Sequence, residues 1–533
     1  MKKIIYCFLI LCNTLQAQVE EFLPQGFSGE PVVINNKLVF SYFTPDFGSE
    51  LWVTDGTSEG TQLLKDIIIG PGSSTPSISK LHVIDNVLYF RCQNTPHTIW
   101  RTDGTPQGTY AHVTNNQIFD PVGFIKTNGF IFFVSKIGGN DTMFRLWRMT
   151  SFTNSEVPIT QTFDGKVLNN IRPNSVAYLN QTTLIFGAHT NQTGWAIFGT
   201  TGPTTDLIID LYQGNNTTFN NYNQISNARS IDGKIYFTGF QESTGFEPWS
   251  TTGTASSTQL LKDIFISNTV NSGSTPDQWT KAGGTIYFTA NDGINQRALW
   301  KTDGTTSGTQ LVNPQNPINN VILGFNNLVE FNNQLYFSRT DGGNHLFRTN
   351  GTEEGTVKIT NTDIINSISS VNTMIAGNKI FFTGFSPQFG NELFMVDEND
   401  VVTMVADINP GINGSDPGFV VEFNGYIYFP ARFGNTINTL RTYRIALNTL
   451  GIDESISRSF NVKIYPNPTS DYFTIESDED VTVKIYSILG QKQDIKPMTS
   501  NQFDISHLSN GVYMVKVLDK NSNTIATKKI IKQ

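Results

Sequence analysis

Six histidines stand at 82, 97, 112, 189, 345 and 507, with no pair at metal-ligand spacing on one strand or helix. What recurs instead is an aromatic followed by Asp-Gly-Thr: Trp52 before Asp55 and Gly56, Trp100 before Asp103 and Gly104, Trp300 before Asp303 and Gly304. Two chemistries could use such a motif. The aspartates could ligate calcium, as oxygen-rich loops do, and the tryptophans could stack on sugar rings. A structural role explains the same residues more simply. Asp caps a turn, Gly takes positive φ and Thr pairs back to the chain, while one tryptophan per unit is what a repeated core requires. The expectation is no cofactor, with calcium the single candidate, and no catalytic residue. Asn291-Asp292-Gly293 and 341–344 read as hairpin loops in the same way.

Composition narrows the class. Of 533 residues only 15% are charged, against about 25% in a typical soluble domain. Polarity comes from Asn, Thr, Ser and 45 glycines, which is turn and strand material. The net charge is −9 and no basic block lies outside the very end, so a nucleic-acid partner has no electrostatic footing. Lys2, Lys3, the apolar run 4–11 and Ala17 read as a signal peptide over 1–17, cut to expose Gln18. The run is too short to span a bilayer, so the mature chain has no expected transmembrane segment. Cys12 is poorly placed for lipidation after Ile10 and Leu11. Cleavage leaves Cys92 alone, without a disulfide partner.

The residues 32–450, after an N-terminal segment 18–31, are one unit written nine times. A strand core ends at Phe40, Phe90, Phe133, Phe186, Phe237, Phe288, Phe337, Phe382 and Phe429, at steps of 43 to 53 residues. Before eight of these strands sits a pair of Asn, Asp or Gly, such as Asn35-Asn36 or Gly283-Gly284, as a type I′ hairpin turn demands. An aromatic follows the strand Phe by 10, 12 or 14 residues in the first eight units: Trp52, Trp100, Trp147, Phe198, Trp249, Trp300, Phe347 and Phe394. Even offsets keep every ring on one face of its strand, so equivalent buried positions are expected. Each unit then holds about four short strands, the makings of a β-propeller of eight or nine blades. Nine exceeds the usual four to eight, so the third or ninth unit could stand outside the ring. The strings at 50–57 and 299–305 resemble the E-L-W-x-x-D-G-T repeats of secreted bacterial proteins, a resemblance that implies a propeller-like module and carries no assigned activity.

After a linker at 451–460 the pattern changes. Alternating segments at 462–465, 472–476, 481–486, 503–505, 512–518 and 525–531 predict a small Ig-like β-sandwich over 461–533. Tyr465-Pro466-Asn467-Pro468, the 483–490 string ending in Gly490, Asn510-Gly511 with Tyr513, and Lys528-Lys529 near the end resemble a type A sorting domain of the type IX secretion system. Such proteins are Bacteroidetes-type secreted proteins. The resemblance implies recognition by the type IX machinery at the outer membrane, after passage through the periplasm, and a secreted or cell-surface location. For the repeat array, the expectation is a non-catalytic binding or adhesion module for glycan or protein. The alternative is an exported propeller enzyme acting on polysaccharide, a glycoside hydrolase or lyase. Ligand contacts are expected in the variable loops 138–143, 213–222 and 268–279.

Overall fold

The protein is described from a computed structural model, which covers residues 19–533 apart from 77–81, 96, 116–117, 137–143, 151–158, 191–193, 212–224, 267–271, 295–296, 313–324, 341–342, 361–364, 366, 369–373, 435–439, 451–462, 478–480, 488–491, 500 and 519–523. The chain divides into two compact units, 1–447 and 448–533. The described residues form strands and short 3-10 turns, and no helix among them is long and apolar enough to cross a membrane.

Each sequence repeat becomes one antiparallel sheet. In the first, Val32–Ile34, Lys37–Thr44, Gly48–Thr54 and Gln62–Lys65 pair in chain order. The turn between the first two strands has φ of 46° at Asn35 and 56° at Asn36, the left-handed pair that a type I′ turn needs. The same signs recur at Asp85-Asn86, Asn332-Asn333 and Gly283-Gly284. The fourth unit lacks such a turn, and Asn180 Oδ1 instead accepts hydrogen bonds from the backbone N–H groups of Thr182 and Thr183 at 2.8 and 3.0 Å. In the eighth unit the first strand is split into Ser367–Ile368 and Met374–Ala376.

Nine such sheets are seen among the described residues, and neighbours share apolar cores. Phe90 of the second packs among Ile34, Val39 and Leu51 of the first. Trp279, Phe288 and Trp300 of the sixth meet Ile231 and Tyr236 of the fifth. The third and ninth units take part as the others do: Phe124, Phe133 and Trp147 pack on the second sheet, and Phe423 and Tyr428 pack on Leu38 and Phe40 of the first. The eighth and ninth are joined by Thr383 Oγ1, which donates to Pro417 O at 2.9 Å. The ring therefore closes on itself. Its ninth sheet, Val421–Phe423, Tyr426–Arg432 and Leu440–Ala446, takes its fourth strand from the other end of the array, Val19–Leu23. First strands of neighbouring units touch, as Asp277–Ala282 does Phe325–Phe331, so these strands form the inner rim of a β-propeller.

The C-terminal unit is a pair of four-stranded sheets. One holds Lys463–Tyr465, Tyr472–Glu476, Gln502–Asp504 and Lys496–Pro497; the other holds Lys492–Gln493, Thr482–Ser487, Gly511–Leu518 and Thr524–Lys532. Phe473, Ile485, Phe503, Val515, Val517 and Ile530 fill the space between them.

Candidate functional site

The repeated aromatics stand where their even spacing places them. Phe40 is the direct cross-strand partner of Trp52, Phe90 of Trp100, Phe133 of Trp147 and Phe288 of Trp300. Trp147, Trp249 and Trp300 are buried, as are Phe198, Phe347 and Phe394. Trp52 and Trp100 are only half-buried, so the expected equivalence of burial does not extend to the first two units. The ninth unit has a partner that the sequence pattern missed: Tyr443, buried opposite Phe429.

Each Asp-Gly-Thr closes a turn on itself. Asp55 Oδ1 accepts from Thr57 N at 2.9 Å and Thr57 Oγ1 at 2.7 Å, and Gly56 has φ of 96°. Asp103 and Asp303 make the same two bonds. Thr305, first through its hydroxyl, holds Asp303 below the usual carboxylate range. The stretch 56–60 has the Gly-x-Ser-x-Gly spacing of a nucleophile elbow. It joins two antiparallel strands, not a strand and a helix, which is not the geometry that activates such a serine.

Three glutamates, each two residues before its unit's repeated aromatic, carry a role that sequence reasoning did not assign. Glu50, Glu247 and Glu392 are fully buried in the first, fifth and eighth units. Glu50 accepts from Ile67 N, Ile68 N and Ser74 N at 3.1, 3.3 and 2.8 Å and from Ser74 Oγ at 2.7 Å. Glu247 repeats the set with Ile264, Phe265 and Ser274. These carboxylates hold the loop that leads to the next blade, satisfying backbone donors that strand pairing leaves over. Burial pushes all three upward, Glu392 to about 8. Near them, Asp66, Asp263 and Asp407 each keep a buried Oδ1 with no donor among the described residues.

Chemistry free of such structural duties collects on the inner rim. Two residues before the first turn residue, nine register-equivalent positions lie on these first strands: Val33, Val83, Lys126, Tyr178, Ser230, Lys281, Glu330, Ile375 and Glu422. Val33, Val83 and Ile375 are over 40% exposed and Tyr178 is 54% exposed. A cleft of about 590 Å³ lies across units two to five, lined by Asp85, Phe124, Lys126, Tyr178, Asn180, Gln181, Arg229 and Ser230 among others. That is the size class of small-ligand clefts, about 300–1,000 Å³. Lys126 is ion-paired with Asp85, and Lys281 with Asp232 at 2.6 Å. Arg229 is exposed and has no ion-pair or hydrogen-bond partner among the described residues.

The loops favoured by sequence reasoning give no comparable site. Residues 138–143 and 213–222 lie outside the described residues, as do the expected signal segment 1–17, Cys12, the expected linker 451–460 and Gly490. In 268–279, Ser274 serves Glu247 and Trp279 is core, stacked on Phe288 with ring centroids 4.4 Å apart. Of the histidines, His97 Nδ1 bonds Ile118 O at 2.7 Å and His345 is buried, and no group of three metal-ligating side chains forms among the described residues. Cys92 is buried, and its thiol is pushed up to about 12.

In the C-terminal unit the motif residues assemble. Asn467 Oδ1 accepts from Ile531 N at 2.9 Å, tying the Tyr465-to-Pro468 segment to the last strand. Tyr513 is buried and donates to Ser509 O at 2.8 Å, beside Asn510 and Gly511. Lys528 and Lys529 pair with Val515 and Met514 in the final ladder.

Comparison with known proteins agrees. Residues 463–533 match the family model for a secretion system C-terminal sorting domain. The chain is thus marked for export by the type IX route, to a secreted or cell-surface location. An endo-acting ulvan lyase of Formosa agariphila is 36% identical over 93 residues, 16% of this chain and 18% of that protein. The match spans less than a fifth of that relative. Among solved structures, a puromycin hydrolase is 11% identical with a TM-score of 0.39, covering 76% of this chain and 59% of its own. The β-propeller domain of the Trilobed protease from Pyrococcus furiosus is 8% identical with a TM-score of 0.35, covering 72% and 98%.

Proposed function

We propose that the repeat array is an exported, non-catalytic binding module that takes a glycan or protein ligand at the axial cleft between units two and five. The observation that carries this reading is the chemistry of the cleft wall. It combines an exposed aromatic, Tyr178, with side-chain amides at Asn180 and Gln181, the Ser230 hydroxyl and a cation without an ion-pair partner among the described residues, Arg229. Convergent polar groups around an open aromatic surface suit recognition. Hydrolysis of a glycosidic bond ordinarily needs two carboxyl groups flanking the bond, about 5–9.5 Å apart. Asp85 is the carboxylate among the described lining residues, and Lys126 holds it in an ion pair. The opposing reading, an exported enzyme on polysaccharide, draws on the partial match to a lyase.

A screen of the mature chain against polysaccharides and surface proteins tests the choice. Binding that Tyr178→Ala weakens, without change in ligand size, is expected. Depolymerisation of a bound polysaccharide over time would make the protein an enzyme.

A further inference from the structure

Resting on the axial-binding reading, we infer that the ligand is an acidic saccharide, whose carboxylate or sulfate group is taken by Arg229. Charge around the inner rim is distributed unevenly. Lys126 in the cleft and Lys281 in the sixth unit beyond it are each neutralised by an aspartate one unit back, Asp85 and Asp232. Arg229, one position before the register-equivalent Ser230 and among the residues lining the cleft, has no such partner among the described residues. It follows a break in register between Ser226 and Arg229, where Asn227 has φ of 50° and its Nδ2 donates to Pro276 O at 3.2 Å. A bulge of this kind re-aims the next side chains of a strand.

Across the ring the charged residues at the equivalent positions are Glu330 and Glu422, and among the described residues each carboxylate accepts one backbone N–H, from Asn333 at 2.9 Å and Gly377 at 2.7 Å. An anion is therefore repelled on that side and drawn to the cleft, in keeping with Coulombic steering in a confined space. The groups around Arg229 are mostly donors. Asn180 spends its Oδ1 on Thr182 and Thr183, leaving its amide N–H groups for a ligand, and Ser230 offers a hydroxyl. Guanidinium is the side chain best shaped for bidentate hold on carboxylate or sulfate. Tyr178 supplies a flat apolar face with a polar tip. Anion anchor, hydroxyl partners and ring platform together describe an acidic sugar better than a neutral one or an extended peptide.

The test is calorimetric titration of the mature chain with a chondroitin sulfate tetrasaccharide and with cellotetraose. The sulfated probe should bind at least about ten-fold more tightly, and Arg229→Ala should remove about that factor, the worth of one charge-assisted bond. Arg229→Lys should recover part of it, and added salt should weaken the wild type more than the alanine variant. Because Arg229 is exposed, unchanged melting verifies that the variants fold. Equal binding of both probes, reduced by Tyr178→Ala and not by Arg229→Ala, would overturn the acidic ligand and leave the axial site standing. Binding of the sulfated probe that neither substitution changes would overturn both. Failure of the sulfated probe to bind at all would overturn the acidic ligand.

Discussion

Asn424 donates through its side-chain amide to the backbone carbonyl of Asp55 at 2.9 Å, across 369 residues of chain. Asn35 does the same to Asp103 O at 2.9 Å. The hairpin turn of one unit thus clasps the Asp-Gly-Thr turn of the next, and at Asn424 the clasp closes the ring. Arg444 adds a bond to Gly56 O at 2.6 Å. These contacts cooperate with the Val19–Leu23 strand on the ninth sheet.

Closure should therefore be separable into small and large parts. Asn424→Ala removes one exposed hydrogen bond and places alanine at a φ of 49°, and together these should cost about 1–2 kcal/mol. Deleting 19–23 removes a whole strand and bares the edge of Leu440–Ala446. It should lower the melting temperature well beyond the point substitution and promote association between molecules. Thermal scans and light scattering on the two variants check both outcomes.

Trp300→Ala should cost about 3–5 kcal/mol, because it empties a core position shared by the fifth and sixth units. Gly304→Ala should cost less, about 1 kcal/mol or somewhat more. Gly304 has φ of 89°, and a Cβ there would lie 3.2 Å from the Tyr236 hydroxyl. Denaturant unfolding measures both.

These positions were legible because their signals are local. Type I′ turns restrict residue type at Asn35 and Asn36, and the two-residue pleat restricts the offset from Phe288 to Trp300. Glu50 was not legible as a loop anchor, since its donors lie 17 to 24 residues on, in an irregular segment. Val19–Leu23 carries no repeat signature, and its partner strand lies at the far end of the array. In the C-terminal unit the two-residue strands Lys492–Gln493 and Lys496–Pro497 are too short and polar to alternate. The cleft is lined by residues of four consecutive units, 83–85, 124–126, 176–181 and 228–230, and which of them border one space is set by the packing of whole blades, not by any local pattern.

Stability should fall as pH rises from the ordinary carboxylate range toward 8. Burial, with the Asp407 charge as a lesser cause, raises Glu392 from 4.5 to about 8. Between those values the folded chain keeps a proton that the unfolded chain releases. The contribution is complete below 4.5 and is lost as pH climbs to about 8. Glu50 and Glu247 are raised too and act in the same direction. Melting temperature should therefore drop across this window, and Glu392→Gln, which mimics the protonated acid, should flatten the drop. An unchanged slope in that variant would assign the dependence to other groups.

The sorting module makes the last prediction, and its geometry says how export should fail. The Tyr465-to-Pro468 segment and the final strand are mutually dependent: Asn467 accepts from Ile531 N, Thr469 N donates to Ile531 O at 2.9 Å, and Gln533 N donates to Thr469 O at 2.9 Å. The final strand also supplies Ile530, fully buried between the sheets. Removing Thr524–Lys532 should therefore unfold the module, where removing a flexible tail would not. Export of the chain should stop, with the protein retained in the periplasm. Asn467→Ala breaks the bond from Ile531 N and leaves the two backbone bonds at Thr469, and should lower surface delivery without abolishing it. Residues 460–533 fused to a foreign exported passenger should carry it out by the same route. Surface labelling and cell fractionation of the three proteins measure each outcome. Normal surface delivery of the chain lacking 524–532 would show that the folded module is not what the machinery recognises.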